Sequence, residues 1–217
     1  GLELAQQSGR QPEAAALLDR AIAQLRRLLE LDPGSVEVRA NLAASLCNVG
    51  ALRLDADDPR AALPLFVEAE ALAAAACAAV PSRSDFQTFH YNAIWYRAQV
   101  HGALGEHAAA AAAATRLGQL RPDDARTQRI VAGLLATAAG SVDSDATLST
   151  ADRAARRGDY EDAAMDHLRA AARLGCADAD YLRTGEVFAA LRELPGFAAL
   201  VAAFAANAAA AADARDR

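Results

Sequence analysis

The side chains able to hold a metal or start a reaction are few in this 217-residue chain: four histidines, three cysteines and 28 carboxylates. His90 and His101 stand eleven residues apart, so they share a face if one helix carries both. At 1.5 Å of rise per residue they lie about 16 Å apart, too far for one ion. His107 and His167 fall on other expected elements. The acidic stretches Asp55-Ala56-Asp57-Asp58 and Asp143-Ser144-Asp145 lack the glycine and closing glutamate of a calcium loop, and read as helix N-caps and solvated turns. Cys47, Cys77 and Cys176 are odd in number and widely spaced. They read as small buried thiols in a reducing compartment rather than as a disulfide or zinc framework. No Gly-x-Ser-x-Gly elbow and no Cys/His spacing pairs a nucleophile with a base. No metal, no cofactor and no catalytic residue is expected within the chain.

The cations narrow the chemistry further. All 22 basic residues are arginine and none is lysine. A Walker phosphate loop, a kinase catalytic lobe and Schiff-base catalysis each need a lysine, so all three are excluded. A formal net charge of −6 argues against a general nucleic-acid binder, whose footprint is a basic face. Arg153, Arg156 and Arg157 form an i, i+3, i+4 cluster suited to a phosphate or carboxylate. Asp152, Asp159 and Glu161 neighbour them, which favours a solvated face with local ion pairs.

Five of the eleven aromatic residues fall in Phe86–Tyr96. Phe86, Phe89, Ile94 and Tyr96 are expected to pack between helices. Tyr91 and Trp95 cannot both face the way Ile94 does, so at least one ring should reach a surface.

The elements that must position these residues are helices. Sixty-one residues are alanine, the strongest helix former, and few are β-branched. The expected helices span 11–31, 35–54, 58–80, 84–104, 106–120, 123–139, 147–174 with a possible break at Gly158, 186–193 and 196–213. Self-similarity orders them. Ala14, Leu18 and Ala21 recur 48 residues on as Ala62, Phe66 and Ala69, and again as Ala110, Ala114 and Leu117. Each triplet has the i, i+4, i+7 spacing of a closely packed helix face. Gly9, Asp57 and Gly105 precede the triplets as turn residues, and Pro33, Pro81 and Pro122 follow as stops. Leu194–Ala212 carries no charge over a length that suits a membrane span. Its large residues Phe197, Leu200, Val201 and Phe204 form one stripe, which suits docking on a protein core instead.

These residues resemble the tetratricopeptide repeat. Asn48-Val49-Gly50 is similar to the asparagine and leucine-glycine pair of that family's first helix. Gly158-Asp159-Tyr160-Glu161-Asp162-Ala163 is similar to the opening of its second helix, and a proline closes the unit. The resemblance covers roughly residues 1–174, with the first repeat lacking most of its opening helix. Two departures stand out: the spacing is 48 rather than 34, and Arg97 stands where an apolar residue is usual. From Tyr160 to Leu200, the order of Leu168-Arg169-Ala170-Ala171, Gly175, Leu182-Arg183-Thr184, Phe188, Leu191-Arg192, Pro195 and Phe197 resembles the C-terminal repeat regions of large bacterial serine/threonine protein kinases. No part of the chain matches a kinase lobe, so the family's catalytic residues do not carry over.

The resemblance implies an all-α, right-handed α-solenoid of antiparallel helix pairs over 1–174, closed by capping helices over 175–217. It implies a scaffold that binds a protein or peptide, as the non-catalytic regulatory region of such a kinase, with a stand-alone adaptor or oligomerisation module as the alternative. A hydrolase built in the groove is a third reading from a different class. In such arrays the first helix of each pair lines the concave side, which places Asn48, Asn92, Trp95, Gln99, Arg126 and Arg129 toward a partner. Asparagine with arginine there suits an extended peptide or its terminal carboxylate. The incomplete first repeat leaves an apolar face near Leu17, Leu25 and Leu28 for self-association. Met165 is the only methionine, so Gly1 is expected to follow a longer natural sequence. A cytoplasmic chain without a membrane span is expected, with an upstream span able to change the compartment.

Overall fold

Short polar side chains start the helices where the sequence marks them. Ser35, Asp58, Asp124 and Ser149 each accept a hydrogen bond from the backbone N–H three residues on: Val38 at 3.4 Å, Ala61 at 3.1 Å, Thr127 at 2.9 Å and Asp152 at 3.1 Å. Each satisfies a donor that the first helical turn leaves without an intrahelical partner. The structure, a computed structural model, describes residues 2–215, with side chains described from 16 to 214. The described chain is helical and contains no strand: α1 (Leu2–Leu31), α2 (Val36–Asp55), α3 (Pro59–Ala79), α4 (Ser84–Ala103), α5 (His107–Leu120), α6 (Ala125–Ser141), α7 (Thr150–Arg173), α8 (Ala179–Thr184) and α9 (Phe197–Arg215).

Two kinds of turn alternate along the first six helices. Residues 32–35, 80–83 and 121–124 form four-residue turns, each with proline second: Pro33, Pro81 and Pro122. Residues 56–58 and 104–106 form three-residue turns, each with a left-handed residue in the middle, Asp57 at φ 58° and Gly105 at φ 73°. Proline ends one helix by removing a backbone donor, whereas the left-handed residue reverses the chain after the other.

The chain divides into two compact units, 1–100 and 101–217, a division that falls inside α4. In the first unit α2 packs on both α1 and α3. Ala62, Phe66 and Ala69 are fully buried, as are Leu42, Ala43 and Leu46 across from them. A second cluster joins Ala40, Ala76 and Phe86 with Val36, Cys77, Val80 and Phe89. In α1 Leu18 and Ala21 are only half-buried, and Ala14 lies outside the residues whose side chains are described. The second unit packs α6 against α5 and α7, then lays α9 on α7 and α8. Ala110, Ala114 and Leu117 are buried there, together with Phe188, Leu191, Phe197, Leu200 and Phe204, while Val201 is half-buried. Asn207 of α9 donates to the carbonyls of Ala172 and Cys176, at 2.8 and 3.0 Å, and so ties α9 to the end of α7 and the turn after it.

Four element expectations need correction. The first helix runs without interruption through Gly9, so no turn precedes the first triplet. Gly158 lies within the continuous α7, whose capped start is Ser149, so Gly158–Ala163 does not open a helix. A lone glycine costs about 1 kcal/mol relative to alanine, which the helix-forming residues on either side and tertiary packing override. Residues 186–193 form two 3-10 turns rather than one helix, and α8 is an additional short helix.

Candidate functional site

In the first unit, the nominated residues sit on α2 and α4. Asn48 is exposed, whereas Asn92, Trp95 and Gln99 are half-buried at i, i+3 and i+7 on one face of α4. The Gln99 amide nitrogen is buried and has no hydrogen-bond partner among the described residues. Trp95 leans on Tyr96, with ring centroids 4.7 Å apart, and Tyr96 stacks on Phe66 at 4.9 Å and 9°. Beneath that ring is Gly50, where a Cβ would stand 2.6 Å from the Phe66 ring. The glycine thus permits a close approach of α2 to α3 that seats Phe66, and Phe66 supports the aromatic pair on α4. Arg97, unusual for its position, donates to the buried carboxylate of Glu70 at 2.5 Å. Of the aromatic patch, Phe86 and Ile94 are buried, while Phe89, Tyr91, Trp95 and Tyr96 are half-buried.

In the second unit, Arg126 and Arg129 lie one turn apart on α6. Arg126 is exposed; Arg129 is half-buried with its guanidinium 4.4 Å from the Tyr181 ring centroid. Asp178 faces Arg129 at 3.7 Å. The Arg153, Arg156 and Arg157 cluster serves the fold. Arg153 donates to the Asp145 carbonyl at 3.1 Å, Arg157 pairs with Asp143, and Arg156 lies against the Tyr160 hydroxyl.

A polar constellation that the sequence pattern did not single out joins α5, α7 and the loop between α6 and α7. The His107 ring lies between the Tyr160 hydroxyl and the Asp145 carboxylate, 3.1 Å from each. A carboxylate only accepts, so Nε2 donates to Asp145, while Nδ1 meets the Tyr160 hydroxyl. Hydrogen bonds from Thr147 and from His107 hold the Asp145 carboxyl at about 2, well below its usual range. An open cleft of about 510 Å³ adjoins His107, Ser144 and Asp145. Both ring nitrogens are committed to the fold, so the geometry is that of a clamp on the 142–149 loop. His107 and Asp145 are 38 residues apart, and no local spacing signals their meeting.

The other described histidines are also engaged. His101 meets Glu106 at 2.6 Å, and His90 lies on α4 without joining a metal-binding group. His167 Nδ1 donates to Gln128 at 2.6 Å, while the Gln128 amide donates to the Arg121 and Pro122 carbonyls. Burial pushes the His167 imidazole down from its ordinary value, against a smaller upward pull from Asp166. The folded state therefore favours the neutral ring, and the unfolded chain takes up the proton more readily. The stability owed to this group is present above about pH 6.5 and falls as the pH drops toward the folded value. Urea unfolding at about pH 7.5 and about pH 5.5 should show a lower midpoint in acid, and His167→Gln should flatten that difference.

Burial pushes the Cys47 thiol up to about 12 and raises that of Cys77, so neither is an activated nucleophile. Among the described residues no group of three or more histidine, cysteine, aspartate or glutamate side chains is arranged to hold a metal. Pro59–Ala79 and Phe197–Ala214 are long and apolar enough to cross a membrane by length and composition.

No family model matches the chain, and no curated protein matches it either. Among solved structures it is similar to the crystal structure of BtubC (BKLC) from P. vanneervenii. The identity is 15%, the TM-score is 0.45, and the match covers 91% of this chain and 74% of that one. The described residues themselves define an all-α chain whose first six helices are joined by short turns.

Proposed function

We propose that the chain is a protein–protein interaction module: a right-handed solenoid of tetratricopeptide-like helix pairs that binds a protein or peptide. The observation that carries this reading is the alternation of the two turn types along α1–α6, which marks a repeating helix pair. The close approach of α2 to α3 over Gly50 supports it, because small residues at the helix contact are part of the resemblance. In a repeat array each unit contacts its neighbours and the last one needs a cover. The segment from α8 to α9, with Phe188, Leu191, Phe197, Leu200 and Phe204 turned inward, suits that role.

The partner-binding residues of this reading are Asn48, Asn92, Trp95 and Gln99 in the first unit and Arg126 and Arg129 in the second. Carboxamides both donate and accept, which matches a peptide backbone, and guanidinium groups match carboxylates. With the partner identified by cross-linking and mass spectrometry, Asn92→Ala and Arg129→Ala should each weaken its binding at least about tenfold. Unchanged affinity in both variants overturns the assignment. The order of residues from Tyr160 to Leu200 supports a regulatory region of a bacterial serine/threonine kinase, and reading the encoding frame upstream of Gly1 tests that.

Self-association is a second reading, favoured by α1, where Leu17, Leu28 and Leu31 are 61%, 49% and 77% exposed. Light scattering that finds a monomer at all concentrations, with or without upstream residues restored, removes it.

A further inference from the structure

Asp178 stands at the N-terminal end of α8 yet does not cap it. Its side chain accepts no hydrogen bond from that helix, although aspartate is among the best capping residues. It faces Arg129 at 3.7 Å, beyond the 2.7–2.9 Å typical of a charge-assisted hydrogen bond. The carboxylate is thus committed to neither partner and is 51% exposed. Its surroundings are fixed. Ala179 and Leu182 are buried, and Tyr181 meets the buried Phe188 edge-on at 5.6 Å, so the platform under Arg129 stays where it is.

We propose that Asp178 is an internal stand-in for the carboxylate of an acidic peptide, occupying Arg129 until the peptide takes its place across Arg126 and Arg129. The proposal rests on the reading of those two arginines as partner-binding residues, and adds how their site is regulated. Arg126 supplies the free cation: it is exposed and pairs with no carboxylate among the described residues. At i and i+3, two guanidinium groups can reach the carboxylates of one acidic segment, a complementarity of charge that a single 3.7 Å contact does not satisfy. The displaced Asp178 has somewhere to go. By a side-chain rotation it can accept from the backbone N–H of Asp180 or Tyr181 and cap α8, so exchange trades one weak contact for two better ones.

The test uses a pentaglutamate peptide blocked at both ends, titrated at low salt into the whole chain, with pentalysine as control. Wild type should bind pentaglutamate and not pentalysine. The Asp180 and Tyr181 amide resonances should move as the new cap forms. Asp178→Ser, which keeps a capping oxygen and removes the charge, should bind about threefold to fivefold more tightly, the range that an exposed ion pair commands. Arg129→Gln should bind at least about tenfold less tightly. Equal or weaker binding by Asp178→Ser, with an unchanged melting temperature, overturns the stand-in, as does failure of pentaglutamate to bind either form. A cross-linked partner whose affinity falls in Arg129→Gln but is unmoved in Asp178→Ser leaves the binding site standing and removes only its regulation. Full affinity for that partner in Arg129→Gln removes both.

Discussion

Arg97→Ala is expected to destabilise the first unit by about 3–5 kcal/mol, the range seen when one partner of a buried ion pair is removed. The Glu70 side chain is 5% exposed and that of Arg97 26%, and the two meet at 2.5 Å. Removing the guanidinium takes away the cation that the Glu70 carboxylate meets at 2.5 Å. The expected result separates two meanings of the pair. If it mainly stabilises, replacing both partners should hurt nearly as much as replacing one. If its cost of desolvation roughly cancels its attraction, the double replacement Glu70→Met with Arg97→Leu should recover most of the loss. The second result is expected, because the Glu70 side chain is nearly fully buried and its desolvation is costly. Urea midpoints of the two single variants and the double variant measure the coupling directly.

That pair also shows why some of this molecule can be read in its sequence and some cannot. The proline turns and the aspartate and serine caps are decided within four residues, so the helices from 35 to 141 fall close to their expected ends. The buried triplets Ala62-Phe66-Ala69 and Ala110-Ala114-Leu117 follow from helical periodicity, again a local property. Arg97 stood out only as a departure from a pattern. Its reason is a residue 27 positions earlier on another helix, and nothing near Glu70 distinguishes it from a solvated charge. His107 met Asp145 for a reason just as remote. The same limit applies to the nominated binding residues. Arg129 was legible as a cation on α6, but its contacts with Asp178 and Tyr181 come from a six-residue helix too short to leave a periodic trace. Gly158 failed in the opposite direction, because a strong local turn signal was outweighed by the helix around it.

Gly50 and Phe66 constrain each other's packing, and their coupling should change the sign of a mutation. Phe66 is fully buried and stacked on Tyr96, so Phe66→Ala is expected to cost about 3–5 kcal/mol through lost burial and a cavity. Gly50→Ala places a Cβ 2.6 Å from the Phe66 ring, closer than atoms can pack, and α2 must shift or the ring must turn. The ring is held by Tyr96, so the strain should appear as about 1–3 kcal/mol of destabilisation. With Phe66 already alanine the obstruction is gone. Gly50→Ala then adds a methyl group that partly fills the cavity and replaces a helical glycine, which alone is worth about 1 kcal/mol. The same substitution should therefore destabilise the natural chain and stabilise Phe66→Ala. A double-mutant cycle by chemical denaturation reads that coupling as more than about 1 kcal/mol. Additive effects would mean that α2 and α3 do not meet over this glycine, and would remove the packing argument for tetratricopeptide-like helix pairs at its best-defined contact.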